Sequence, residues 1–192
     1  MPEVQLRVAD DVVALWEAME AEGAVVVLDP PFWAAAWPGG QALARHVLDH
    51  PSLVSGRSVL DLGTGSGLVA VAAAMAGAAD VVASEVDPYG RTAVAVNADL
   101  NGVGPIRVVG DLLDGPAPIA DVVLAGDVCY DREMTERVLP FLAAARATGA
   151  EVLLGDPGRP YLPTARLEPV SVHEVPETEG EGIRRTTVWR LP

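Results

Sequence analysis

Nine consecutive residues, Val59-Leu-Asp-Leu-Gly-Thr-Gly-Ser-Gly67, constrain the fold of this chain more than any others. A short apolar run ends in glycines at 63, 65 and 67, and Ala70, Ala72, Ala73, Ala74 and Ala76 follow. The apolar run predicts a buried strand. Glycines let the backbone turn sharply and let a ligand approach where a Cβ would collide. The small residues predict a helix over about Gly67–Ala76 that lies close on a sheet.

Short apolar runs recur at Ser58–Leu62, Val81–Ser84, Ile106–Val109, Asp121–Ala125 and Glu151–Leu154, with further helices expected at about Pro88–Asn101 and Arg132–Thr148. Alternation of this kind implies a parallel sheet covered on both faces, an α/β fold. Glu168–Val175 and Ile183–Leu191 read as longer strands joined by the turn Glu177–Gly182. A C-terminal antiparallel hairpin beside a five-stranded parallel core is therefore expected. Upstream, Val12, Val13, Leu15, Trp16 and Met19 recur at roughly helical spacing, and a second helix is expected from Gln41 to Leu48, stopped by Pro51. Before it, Asp29-Pro-Pro-Phe-Trp-Ala-Ala-Ala-Trp-Pro-Gly-Gly-Gln41 gathers Phe32, Trp33 and Trp37 in a chain with 5% aromatics. Its prolines stiffen the segment, and Gly39-Gly40 is expected to turn it into the helix at Gln41.

Apolar clusters are spread evenly and no linker interrupts the 192 residues. One domain, 1–192, is expected, with 1–56 as a helical and aromatic cap and 57–192 as the ligand-binding core. Twenty-seven acidic against thirteen basic side chains give a net charge of −14, which disfavours nucleic acid. The chain lacks a long uncharged apolar run, and its opening MPEVQLRVADD is unlike a signal peptide, so a soluble, cytoplasmic protein away from membranes is expected. Cys129 is the single cysteine, read as a small buried residue. His46, His50 and His173 have no spacing that points to a metal or a relay, and are read as surface or helix-end residues; no metal is expected.

A dinucleotide loop wants glycine at position 68, which is Leu. Glycine spaced as here, with Asp61 two residues before the first, is the arrangement of S-adenosylmethionine (SAM) enzymes, whose ligand carries an ammonium and no phosphate. Glu85, eighteen residues past Gly67, is placed to accept both ribose hydroxyls. Val86 is expected to line the adenine pocket, and Asp87, before Pro88, to cap a helix. Asp111, after the third strand, is a candidate acceptor for the adenine amino group. After the fourth strand, Asp127 and Tyr130 are expected at the reactive end of the ligand. The competing readings are a cap for the helix near Arg132 and a packing wall.

Together these residues resemble the seven-strand, Rossmann-like class I SAM-dependent methyltransferases. Pro31-Phe-Trp-Ala-Ala-Ala-Trp-Pro-Gly-Gly-Gln41, Asp61–Gly67, Asp127-x-x-Tyr130 and Gly155-Asp-Pro-Gly-Arg-Pro160 narrow the resemblance to the protein-lysine methyltransferases of the electron transfer flavoprotein β subunit. The likeness runs from about Pro2 to Thr187-Val-Trp189, and the compact N-terminus fits a bacterial-type member. It implies binding of SAM through Trp37, Asp61, Gly63, Thr64, Gly65, Gly67, Glu85, Val86, Asp111 and Asp127 and release of S-adenosylhomocysteine; a monomer is expected. Asp127 would orient a lysine amine, Tyr130 would wall its channel, and Phe32, Trp33 and Arg159 would flank the protein substrate. A small-molecule or ribosomal-protein N-methyltransferase, or a SAM-binding module without chemistry, are the alternatives.

Overall fold

The computed structural model describes residues 3–21, 30–116, 119–178 and 182–192. Asp29, the residues around Pro2 and the middle of the expected Glu177–Gly182 turn lie outside the described residues. Strands β1 (Ser58–Leu62), β2 (Asp80–Ser84), β3 (Arg107–Val109), β4 (Val122–Gly126), β5 (Glu151–Asp156), β6 (Glu168–Pro176) and β7 (Ile183–Arg190) form one sheet in the order β3-β2-β1-β4-β5-β7-β6. The first five are parallel, and β7 runs antiparallel to both β5 and β6. This is the expected parallel core with a terminal hairpin.

Alternate strand residues enter opposite layers. Val59, Val122, Leu124 and Leu153 join a core built with helices α2 (Pro38–Asp49), α3 (Leu68–Met75) and α4 (Pro88–Leu100), whereas Leu60, Val123, Val152 and Leu154 pack against α5 (Arg132–Ala147). Helix α1 (Val12–Ala21) turns Val12, Leu15, Trp16 and Met19 to the protein; Val13, included in the expected face, is exposed. The spacing i, i+3, i+4, i+7 leaves it out.

Helix α2 starts at Pro38 rather than Gln41, which corrects the role expected of Gly39-Gly40. Pro38 suits the first helical position because its missing N–H has no intrahelical partner there. The two glycines are helical residues needed for close packing. A Cβ on Gly39 would overlap the carbonyl oxygen of Gly155, one on Gly155 would overlap that of Gly39, and one on Gly126 would lie 2.8 Å from Gly40 Cα. The first turn of α2 therefore sits backbone to backbone on the ends of β4 and β5.

Candidate active site

The glycine loop leaves β1 at the C-terminal edge of the parallel strands, where α/β sheets bind ligands. Gly63, Gly65 and Gly67 all have positive φ, at 66°, 56° and 84°. Gly67 caps α3 without a side chain, and Asp61 supplies the missing acceptor. Its Oδ2 accepts from the Thr64 hydroxyl at 2.5 Å and from the Ala70 amide, an unpaired N–H of the first helical turn, at 3.0 Å. Burial pushes the Asp61 carboxyl up to about 7, against these two hydrogen bonds. Asn97, buried in α4, donates to Ser66 O at 2.8 Å and accepts from the Arg7 amide at 2.7 Å, pinning the loop. Nothing in the local sequence marked it.

At the end of β2, Glu85 is buried and takes two amides, Gly65 N–H at 3.0 Å on Oε2 and Asp87 N–H at 2.9 Å on Oε1. The glycine loop and the acid after β2 are thus directly joined. Burial raises the Glu85 carboxyl while the amides lower it. Gly90 lets α4 approach, since its Cβ would meet Glu85 Cγ at 2.7 Å and Trp33 Cβ at 3.0 Å. Asp87 caps α4 as expected, accepting from Tyr89 N–H at 2.7 Å. Val86 is exposed beside this edge. Asp111, after β3, is engaged by Arg137 at 2.9 Å and by its own turn, through Leu113 N–H. Its carboxylate therefore faces α5 as well as solvent.

Asp127, after β4, has φ 58°, the one positive φ outside glycine among the described residues. It is buried, and every oxygen is engaged: Oδ1 accepts from Arg159 Nη2 at 2.8 Å and Nε at 3.2 Å, and Oδ2 accepts from Gly40 N–H at 3.0 Å. It does not cap α5; that acceptor is Asp131, whose Oδ1 takes Met134 N–H at 2.7 Å. Burial pushes the Asp127 carboxyl up, against the Arg159 guanidinium and, after it, the Gly40 amide in the first turn of α2, which favour the ionised form. Arg159, expected to meet the substrate from the surface, turns inward to Asp127. Asp156, which sequence reasoning did not single out, holds that loop: its Oδ1 accepts from Gly158 and Arg159 amides, each at 2.7 Å.

The aromatic segment lies over this edge and divides in two. Phe32 packs edge-on to Trp37, centroids 5.9 Å apart, and beside Tyr130 at 6.1 Å, so these three rings group near Asp127. Trp37 Nε1 donates to Phe32 O at 2.7 Å. Trp33, expected with Phe32, stacks instead on Tyr89 at 6.4 Å, beside Glu85. The reason is local: Phe32–Ala34 is a 3-10 turn, which sends adjacent side chains apart. A cavity of about 40 Å³ lies on the Trp37 side, lined by Trp37, Gly40, Asp61, Gly63, Thr64, Gly65 and Asp127 among others. A larger cleft of about 600 Å³ lies between residues 4–13 and Pro176–Thr178; of the glycine-loop region it meets only Leu68, so it is not the site.

His46 lies in the last turn of α2 and His50 caps it, helix-end positions as expected, but the three rings are gathered together. His46 is buried, its ring 4.4 Å from His50 and 6.1 Å from His173, and Ser171 Oγ lies 3.0 Å from His46 Nδ1 and 2.9 Å from His173 Nε2. Helix α2 and strand β6 bring together what the sequence separates. Burial holds the His46 imidazole down at about 4. Cys129 is buried as expected, its thiol raised to about 11 by burial. No described helix is long and apolar enough to cross a membrane.

Residues 12–129 match the family model of Ribosomal protein L11 methyltransferase (PrmA). The electron transfer flavoprotein beta subunit lysine methyltransferase of Rattus norvegicus is 34% identical over 98% of this chain and 76% of its own length; that of Xenopus laevis is 36% identical over 98% and 79%. Among solved structures, magnesium protoporphyrin IX methyltransferase from Synechocystis with bound SAM is similar in fold, with a TM-score of 0.59 at 15% identity, covering 80% of this chain and 78% of that one. Ribosomal protein L11 methylase from Lactobacillus delbrueckii subsp. bulgaricus gives 0.56 at 22% identity, covering 78% and 77%.

Proposed function

This chain belongs to the electron transfer flavoprotein β-subunit lysine methyltransferase family, a SAM-dependent group, and on that premise we propose that it N-methylates lysine side chains of the electron transfer flavoprotein β subunit. The observation that carries the site assignment is Asp127, a buried carboxylate at a strained backbone position, on the wall of the same cavity as Asp61 and the glycine loop. Strained non-glycine residues persist where the surroundings hold them, and they cluster at active sites.

The residues present fit SAM. The loop offers three glycines in the left-handed conformation that L side chains rarely adopt, and the charged side chains facing it are carboxylates, suited to an ammonium and to ribose hydroxyls and ill suited to a pyrophosphate. Asp61, Gly63, Thr64, Gly65 and Gly67 would hold the amino-acid end, with Trp37 over it. Glu85 would hold the ribose, Val86 and Asp111 the adenine side, and Trp33 with Tyr89 the flank beside Glu85. The bound cofactor supplies a sulfonium methyl carbon. Asp127 would accept a hydrogen bond from the lysine amine and aim its lone pair, while Phe32, Trp37 and Tyr130 would form an aromatic channel that favours an alkyl amine. We take 1–192 as one domain, 1–56 capping and 57–192 binding the cofactor, acting as a cytoplasmic monomer without nucleic acid, membrane or metal.

The L11-type match favours a second substrate, a ribosomal protein, but it ends at Cys129, before Tyr130 and the Arg159 loop. The flavoprotein-subunit relatives extend over nearly the whole chain, which supports the first. All thirteen basic side chains of this chain are arginine, so a labelled lysine cannot be its own. Incubation with labelled SAM and, separately, unmethylated flavoprotein β subunit, ribosomal protein L11 and a small-molecule extract tests the assignment. Methyl-lysine in the flavoprotein subunit is expected; label only in L11 or in small molecules would reject it.

A further inference from the structure

On the reading of this site as a lysine methyltransferase, we infer that Arg159 is a positioning residue that neutralises Asp127, so that the substrate lysine is held as a neutral amine. The need for it is chemical. A lysine attacks only after its proton has left to water, yet a carboxylate beside an amine favours the ammonium. Asp127 alone would orient the nucleophile and disarm it.

The geometry removes the conflict. The Arg159 fork closes on Oδ1 and the α2 amide closes on Oδ2. Oδ1 is filled by the two guanidinium donors, but Oδ2, with the Gly40 amide on one lone pair, keeps a second, so Asp127 can still accept from an amine while its charge is already met. Arginine stays ionised at any working pH and is itself a like charge to an ammonium, which lowers an amine's pKa. Arg159 is held for this task by its loop: Asp156 Oδ1 takes the amides of Gly158 and Arg159, and Gly158 turns at φ 93°. The groups facing the pair are Asp156 from the end of β5, the α2 N-terminus, and the Cys129 thiol. The hydrogen bonds of Asp156 go to the Gly158 and Arg159 amides and not to the guanidinium; burial raises its carboxyl while the amides lower it.

The test is the pH profile of kcat on the unmethylated flavoprotein β subunit, with SAM and the subunit both saturating, from about pH 6.5 to 10, because kcat follows the ionisation of groups in the enzyme–substrate complex. Arg159→Gln should move the acidic limb upward by about one pH unit or more, with roughly tenfold loss near pH 7.5 that largely recovers near pH 10. Arg159→Lys, which keeps the charge, should keep the wild-type midpoint even if its rate falls. Parallel profiles for wild type and Arg159→Gln, or equal shifts in both variants, would overturn the inference and leave the lysine methyltransferase intact. A wild type that modifies no lysine would overturn the function itself. If Arg159→Gln fails to fold, as thermal unfolding would show, the Arg159→Lys midpoint decides: a raised value overturns the inference.

Discussion

Gly39, in the first turn of α2, and Gly155, near the end of β5, touch through their backbones, with no room for a Cβ on either. The contact brings the α2 N-terminus against the sheet, where the Gly40 amide reaches Asp127. Packing and chemistry at this edge therefore depend on the same two glycines.

Gly39→Ala should lower stability by about 1–3 kcal/mol, the usual range for overpacking, and should weaken activity further by moving the Gly40 amide off Asp127. Urea unfolding and methylation rates check this together. A variant as stable and active as wild type would show that the helix can shift freely.

Asp127→Asn keeps the shape of the side chain but loses the charge that holds Arg159. Methylation should fall by about a hundredfold or more, with the fold intact by circular dichroism, because orientation of a nucleophile contributes factors of that order. Normal turnover would remove Asp127 from the chemistry.

Trp37→Ala removes the ring beside Asp61 and the glycine loop, as well as the hydrogen bond to Phe32 O. SAM affinity measured by calorimetry should drop by roughly tenfold, with a smaller change in unfolding free energy. Unchanged affinity would leave the aromatic segment as packing alone.

Asp61 gives a pH-dependent signature. Its carboxyl stands at about 7, and a cofactor ammonium beside it would favour the ionised form. Binding then releases a proton below pH 7, so SAM affinity should weaken as pH falls from 7 towards 5, by at most about tenfold per unit. Asp61→Asn should bind more weakly with a flatter profile. Equal slopes in the two proteins would place the ammonium elsewhere.

His46 affects the fold rather than the ligand. Its native imidazole stands at about 4, below the ordinary value near 6.5, so the unfolded chain binds more protons between these values. Its contribution to stability is complete above pH 6.5 and is lost as pH falls towards 4. Asp61 slopes the other way, since its raised carboxyl binds more protons in the native state up to about 7. The comparison must therefore be with His46→Gln: the stability of wild type relative to this variant should shrink by about 2 kcal/mol between pH 7 and 5 in urea titrations. A constant difference would mean that the buried ring titrates normally.

Much of the architecture was legible because it is local. The apolar runs from Ser58 to Leu154 and the paired strands at the C-terminus carry their period in adjacent residues, and Asp87 before Pro88 marks its own cap. The membership of Asp61, Thr64 and Glu85 in one edge of the sheet followed from the strand-loop-helix pattern. Sequence alone thus determined the layered α/β fold and where along the chain a ligand would meet it. Only the tertiary structure decided which groups face one another there. Arg159 and Asp127 are 32 residues apart, Ser171 and His46 are 125 apart, and no periodicity relates either pair. Their encounters depend on how two β-loops and α2 pack over the strand ends, and burial at that junction converts separate surface-type side chains into a neutralised carboxylate and an uncharged imidazole.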